Sequence, residues 1–194
     1  MRENILYESL SQLKAGGYES LSFAKIAETL DISRANVHHH FKDKLGLAMA
    51  ATTFYIEQND AWLEDIAKRH PNNFLACIDE IEAQILTKIQ NKPNECCCIC
   101  GQLLRGDDIP DELKQLAKSH FKTIQDLFEH IIQNSQQSQR IRTDLSPPQL
   151  ATQTIALLMG LSQLSSTSDD IDHYVSSISG ILRQSVSNHA VTAS

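Results

Sequence analysis

The residues with the most reactive side chains are five cysteines, Cys77, Cys96, Cys97, Cys98 and Cys100. Thiolates bind metals, react with oxidants and add to electrophiles. On a helix only Cys96 and Cys100, or Cys97 and Cys100, share a face. Zinc sites draw ligand pairs from separate segments, so this run alone cannot form a four-thiolate site. Three interpretations stay open for Cys96 to Cys100: a thiol sensor, a metal site completed by a distant histidine, or soft side chains that fill space.

A second group of candidate residues lies in the stretch from Ser22 to Lys44. Arg34 can pair with a phosphate or a guanine edge, and Asn36 can bridge adenine. The three consecutive histidines at 38–40 suggest metal binding, but successive helical side chains diverge by about 100°, so they cannot converge on one ion. These residue types favour contact with DNA.

The elements that must position these side chains are two short helices joined by a tight turn. An apolar face in the first helix recurs at i, i+3, i+4 and i+7, at Phe23, Ile26, Ala27 and Leu30. Residues 31–32 interrupt this pattern. Ser33 then offers a side-chain oxygen to begin a second helix, in which Val37 and Phe41 are left to pack. Two such helices are typical of a helix-turn-helix.

Composition restricts the remaining possibilities. Seven Gly and five Pro in 194 residues argue against a turn-rich β architecture, and a hydrophobic content of 41% is enough for a packed core. No run of about 18 apolar residues is present, so no transmembrane helix is expected. The N-terminus begins Met-Arg-Glu-Asn and has no apolar signal segment, and we therefore expect a cytoplasmic protein.

The formal net charge of −7 comes from residues that follow the predicted helix-turn-helix. Residues 1–50 hold six Lys/Arg and six Asp/Glu, whereas residues 51–194 hold eleven and eighteen. A DNA-binding domain that is neutral overall has little net positive charge with which to bind phosphates. We therefore expect tight DNA binding to require a dimer, in which the phosphate contacts of two such domains add together.

The N-terminal sequence resembles the DNA-binding domain of the tetracycline-repressor (TetR/AcrR) family over residues 4–48. The matching segments are Gly17-Tyr18, Ser22-Phe23-Ala24-Lys25-Ile26-Ala27, the run from Ile32 to Phe41, and Lys44. Two residues depart from the family pattern. The turn position that is usually Gly is Asp31, which tolerates a left-handed backbone better than most residues. An aromatic position is occupied by His38, which can still contact phosphate.

The resemblance implies an all-α protein with two domains. Residues 1–45 would form a three-helix helix-turn-helix domain, and residues 46–194 a larger helical domain for ligand binding and dimerisation. A long helix from Asp43 to about Arg69 would link them. The predicted DNA contacts are Ser22, Phe23, Ser33, Arg34, Ala35, Asn36, His38, His39 and Lys44.

The C-terminal helices carry a seam of apolar residues suited to antiparallel packing. The resemblance implies that this helix pair forms a four-helix dimer interface, while an ordinary buried hairpin would give the same pattern. The seam residues are Leu150, Thr154, Leu157, Leu161, Leu164, Ile171, Tyr174, Ile178 and Ile181. Candidate ligand contacts, which serve equally well as core residues, are Phe54, Tyr55, Trp62, Phe74, Cys100, Phe121 and Phe128.

We interpret the sequence as a DNA-binding transcriptional regulator, a repressor that a small-molecule inducer releases from a palindromic double-stranded operator. It would be a homodimer without a cofactor, a metal or a membrane contact, and no motif typical of an enzyme is present. Two alternatives remain. One is a repressor of the same fold that senses oxidants, electrophiles or, less readily, metals through Cys96–Cys100. The other is a helical ligand-binding protein with no DNA function.

Overall fold

A computed structural model of the protein describes residues 1–91, 98–106 and 108–187. Every regular element in these ranges is helical, which confirms the predicted all-α class. The elements are α1 (Arg2–Ser20), α2 (Phe23–Thr29), α3 (Arg34–His40), α4 (Lys44–Arg69), α5 (Phe74–Asn91), α6 (Ile99–Leu103), α7 (Asp111–Gln137), α8 (Pro147–Leu164), a 3-10 turn (Ser165–Thr167), α9 (Ile171–Ile178) and α10 (Ile181–Val186). None of the helices in the described part of the chain has the length and apolar composition needed to span a bilayer.

The chain forms two compact units, and each is built from two separate segments. The first contains the described residues of 1–60 and 97–121, and the second those of 61–96 and 122–194. The division of function at residue 45 stays a prediction.

The core of the first unit is formed by the apolar stripes of α1 to α4 together with α6 and the start of α7. The stripe of α1 is buried, since Ile5 and Leu13 are fully buried and Leu6 and Leu10 nearly so. Helix α6 adds further buried side chains to the same cluster. It is also tied to α1, because the Gln102 side-chain amide donates to the Lys14 carbonyl at 3.0 Å.

The second unit has its own core, centred on two aromatic rings. Phe74 of α5 and Phe128 of α7 meet edge to face, with their centroids 5.3 Å apart, and are 0% and 2% exposed. The Phe74 backbone N–H donates to the buried Ser135 hydroxyl at 2.9 Å, and that hydroxyl donates to the Ile131 carbonyl. This chain of hydrogen bonds satisfies polar groups that burial would otherwise destabilise.

Glycines interrupt the helical geometry at two places. In α1, Gly16 and Gly17 leave helical geometry, but a last turn continues to Ser20. Its hydroxyl bonds the Gly17 carbonyl at 2.7 Å. The predicted pair of C-terminal helices is interrupted before Ile181, so that its second helix is observed as α9 and α10. Gly180 adopts φ +82° between α9 and α10, and its N–H donates to the buried Glu82 carboxylate, 98 positions earlier in the chain.

Candidate nucleic-acid interface

The predicted helix-turn-helix is present as α2, a tight turn and α3. Asp31 lies in the turn with φ +51°, which confirms that this position needs a left-handed backbone. Ser33 caps α3 as predicted, since its hydroxyl accepts a hydrogen bond from the Asn36 N–H at 3.2 Å. Ser22 caps α2 in the same way, with its hydroxyl 3.4 Å from the Lys25 N–H. Each cap fixes the first turn of a helix whose N-terminal residues would face DNA.

Replacing Ser33 by alanine is expected to lower the free energy of unfolding by about 1 kcal/mol, because the Asn36 N–H loses its capping acceptor. Ser22→Ala should cost less, since its capping contact is longer. Chemical denaturation followed by circular dichroism measures both changes. Ser11→Ala is a matched control at an exposed position inside α1, and it should be neutral or slightly stabilising. An equal loss in Ser11→Ala and Ser33→Ala would contradict the capping role.

One face of α3 is open to solvent and the other is packed. Val37 is fully buried, and Phe41, which follows α3, is 4% exposed, as predicted. The predicted contacts Arg34, Ala35 and His39 are exposed. Side chains on the exposed face can therefore reach a groove while the buried face fixes the orientation of the helix.

An open depression of about 260 Å³ lies at the start of α2. Five of the nine predicted DNA contacts line it, together with Leu21. These five are Ser22, Phe23, Arg34, His38 and Lys44. It has a guanidinium, an ammonium and the N-terminal end of α2 at its walls, which is the chemistry that binds a phosphate.

Lys44 is held in place by three contacts. Its Nζ lies 3.1 Å from the Glu19 carbonyl, 3.8 Å from the Glu19 carboxylate, and 4.7 Å from the centre of the Tyr18 ring. The exposed Glu19 pair is worth little in water. The contacts restrict the rotamers of Lys44, so less conformational entropy is lost when the ammonium meets a phosphate.

His38 is fixed by packing as well as by a hydrogen bond. Its ring lies 4.4 Å from the ring of Phe23, and its Nδ1 is 3.3 Å from the Lys42 carbonyl. Phe23 itself is 6% exposed, so its side chain belongs to the core of the first unit. His40 lies beside Phe41, with their ring centres 6.2 Å apart.

The candidate ligand contacts do not share one unit. Phe54, Tyr55, Cys100 and Phe121 belong to the first unit, and Trp62, Phe74 and Phe128 to the second. Cys100 is fully buried, and Cys98, two positions earlier in the chain, is half-buried. Cys96 and Cys97 lie outside the described residues.

The seam residues of α8 change from buried to exposed along the helix. Leu150 and Thr154 are fully buried, Leu157 and Leu161 are half-buried, and Leu164 is 55% exposed. Further along, Ile178 is buried, while Ile171, Tyr174 and Ile181 are half-buried.

Two residues with structural roles give no signal of those roles in the sequence. Tyr18 belongs to the matching N-terminal motif, and its ring supports Lys44. The other is Asp60. Its carboxylate lies 3.0 Å from the ring of the buried His120. Contacts between residues 26 and 60 positions apart leave no periodic signal, so only tertiary structure identifies them.

Both halves of the sequence match described protein families. Residues 5–51 match bacterial regulatory proteins of the tetR family, and residues 79–181 match the tetracyclin repressor-like C-terminal domain. No curated protein matches the sequence.

Several solved structures share this fold. A TetR-family regulator from Agrobacterium tumefaciens is 18% identical, with a TM-score of 0.86 and coverage of 96% of this chain and 97% of the other. A TetR regulator from Legionella pneumophila is 24% identical, with a TM-score of 0.82 and the same coverage. Bacillus subtilis FadR in complex with stearoyl-CoA is 15% identical, with a TM-score of 0.74 and coverage of 96% and 98%. Because the C-terminal family match alone spans just over half of the chain and the N-terminal match covers the helix-turn-helix, the protein belongs to the tetR family of bacterial transcriptional regulators.

Proposed function

We propose that the protein is a homodimeric repressor that binds a two-fold symmetric DNA operator through α2 and α3. The observation that carries this proposal is the depression flanked by Arg34 and Lys44 beside the exposed face of α3. The depression would hold a backbone phosphate, while Arg34, Asn36 and His39 would reach base edges in the major groove. A DNA-bound repressor of this kind would act in the cytoplasm.

Dimerisation is supported by the apolar character of α8. Leu157 and Leu161 are half-buried and Leu164 is exposed, so the chain by itself leaves apolar surface in water. A second copy related by a two-fold axis would cover this surface. The same axis would place two α3 helices one turn of DNA apart. It would also double the number of phosphate contacts, which compensates for the lack of net charge on each helix-turn-helix.

Release by a small molecule is the second part of the proposal. FadR of Bacillus subtilis has been solved with stearoyl-CoA, so a protein of this fold accommodates a ligand. Helix α4 begins at Lys44, directly after the helix-turn-helix, and ends at Arg69. A ligand that favours one position of α4 would therefore change the spacing of the two α3 helices in the dimer. The aromatic residues named above are the candidate contacts of the inducer.

Selection from a random pool of double-stranded DNA tests this function directly. The purified protein should enrich one sequence family with two inverted half-sites about 10 base pairs, or a multiple of this, apart. Enrichment of a single, non-repeated site would contradict the symmetric dimer. Failure to enrich any sequence would favour the alternative of a helical ligand-binding protein without DNA function.

A further inference from the structure

Two thiols of the first unit lie two positions apart at the start of α6. Cys98 precedes α6 and is half-buried, whereas Cys100 lies inside α6 and is fully buried. The Tyr55 hydroxyl of α4 donates to the Cys98 sulfur, with an O–S distance of 3.7 Å. The partly exposed sulfur of Cys98 is therefore a hydrogen-bond acceptor.

The surroundings of Cys98 favour a thiolate. The hydrogen bond from Cys100 is the main cause that lowers the pKa of Cys98 to about 6, against the opposing effect of burial. The Tyr55 hydroxyl and the charge of His120 lower this pKa further. The pKa of Cys100 is raised, because it donates to Cys98, is buried, and faces the negative charges of Cys98 and Asp60. The first proton to leave the pair therefore comes from Cys98.

A polar pair of the same unit lies beside Tyr55. His120 is 2% exposed, and its Nδ1 is 3.0 Å from the Asp60 carboxylate, which is ion-pair distance although the N–H is not aimed along a hydrogen-bond direction. The His120 ring lies edge-on to the ring of Tyr55, with their centres 6.3 Å apart. Tyr55 therefore contacts the Cys98 sulfur through its hydroxyl and the His120 ring through its own ring.

The remaining cysteine of the described residues is a natural reference. Cys77 is 1% exposed in the second unit, and burial raises its pKa to about 11. A neutral, inaccessible thiol reacts slowly with oxidants. Any selective reaction at Cys98 can be judged against it.

The thiol pair belongs to the same compact unit as α2 and α3. Helix α6 packs into the core of this unit, and Gln102 bonds the Lys14 carbonyl of α1 at 3.0 Å. A disulfide has an S–S length of roughly 2.05 Å, far shorter than a hydrogen bond between thiols. Forming it would draw Cys100 away from its packed position, and α6 and α1 would have to adjust.

We propose that Cys98 and Cys100 form a reversible dithiol switch that a hydroperoxide closes into a disulfide, with release of DNA as the consequence. The effect on DNA rests on the function proposed above, whereas formation of the disulfide does not. Tyr55 is a positioning residue that stabilises the thiolate of Cys98.

The chemistry takes two steps. The Cys98 thiolate attacks one oxygen of the hydroperoxide, an S–O bond forms, the O–O bond breaks, and the departing alkoxide or hydroxide takes a proton. Cys98 is now a neutral sulfenic acid, so the charge that raised the pKa of Cys100 is lost. The Cys100 sulfur gives up its proton and attacks Cys98, an S–S bond forms, and the sulfenic oxygen leaves as water. In total, two thiols and one hydroperoxide give a disulfide, one water, and either an alcohol or, from hydrogen peroxide, a second water.

The bond itself is tested by mass spectrometry on the full-length protein. After one equivalent of hydrogen peroxide and alkylation with N-ethylmaleimide, the wild type should carry two labels fewer than the untreated protein. Peptide mapping should then detect a disulfide between Cys98 and Cys100. Cys96→Ser/Cys97→Ser should still form this bond, and Cys77 should keep its label. A bond to Cys96 or Cys97, or an overoxidised Cys98 with Cys100 still labelled, would overturn the proposal.

The role of Tyr55 is tested by the pH dependence of alkylation at Cys98. The rate of reaction with iodoacetamide should rise with a midpoint near pH 6, since the thiolate is the reactive form. Tyr55→Phe should shift the midpoint upward. Tyr7→Phe is the matched control, because the Tyr7 hydroxyl bonds Gln58 instead of a thiol. A midpoint near that of a free thiol in the wild type, or equal midpoints in both variants, would contradict these roles.

The effect on DNA is measured with the operator selected above. Peroxide should weaken binding by about tenfold or more, a typical size for coupling between two sites, and dithiothreitol should restore it. Cys98→Ser should bind the operator but ignore peroxide. A disulfide that leaves affinity unchanged would overturn the switch. Failure of the reduced protein to bind any DNA would instead refute the proposed function, while the mass-spectrometric result would still stand.

Discussion

Replacing Arg34 by alanine is expected to abolish specific operator binding at physiological salt. Arg34 is exposed at the start of α3 and lines the depression at the interface. Loss of an arginine contact to a guanine edge or a phosphate costs about 1–3 kcal/mol. A symmetric dimer loses the contact twice, so affinity should fall by at least roughly 30-fold. Fluorescence anisotropy with the selected operator measures this change.

The control for Arg34→Ala is Arg140→Ala. Arg140 is also exposed but belongs to the second unit, so both variants lose one positive charge per chain. Arg140→Ala should keep wild-type affinity. Lys44→Ala should weaken binding to all sequences and lower the salt dependence by about one phosphate contact per helix-turn-helix. If Arg34→Ala and Arg140→Ala bind equally well, α3 is not the recognition helix.

The double substitution Leu157→Glu/Leu161→Glu is expected to give a monomer that no longer binds its operator. Both residues are half-buried in the single chain, and in the proposed dimer they would be fully enclosed. Enclosing unpaired carboxylates costs several kcal/mol each, so four of them in one interface should exceed the stability of the dimer. Sedimentation velocity measures the mass, and anisotropy measures the loss of DNA binding.

The control for this variant adds the same charge at exposed polar sites. Gln84→Glu/Gln133→Glu places two carboxylates per chain on α5 and α7, where both side chains are in water. This protein should remain a dimer that binds DNA. Circular dichroism should show that both variants keep their helices. A folded Leu157→Glu/Leu161→Glu protein that sediments as a dimer would move the interface to another surface.

The sequence was sufficient to predict the helix-turn-helix because the patterns that indicate this motif are local. The apolar spacing from Phe23, the cap at Ser33 and the turn at Asp31 each act within a few residues, and the structure confirms each of them. The all-helical class also follows from apolar periodicity and from the small number of glycines and prolines.

Features that depend on distant partners could not be predicted. The break at Gly180 is stabilised by Glu82, and no pattern in residues 171–182 indicates that partner. The contact of Tyr55 with Cys98 joins residues 43 positions apart. The candidate aromatic contacts illustrate the same difficulty, because Phe74 and Phe54 look equivalent in sequence although one is fully buried and the other half-buried.

The construction of the first unit from two separated segments affects how the protein can be engineered. A fragment that ends at residue 60 would contain α1 to α3 but would lack Ile99, Leu103 and Leu113, all of which are fully buried in that unit. Such a fragment would expose apolar surface and would be prone to aggregate. The helix-turn-helix is therefore not a detachable module. A chimera that exchanges the second unit with that of a relative must place one junction in α4 and others near residues 97 and 121, so that both segments of the first unit stay together.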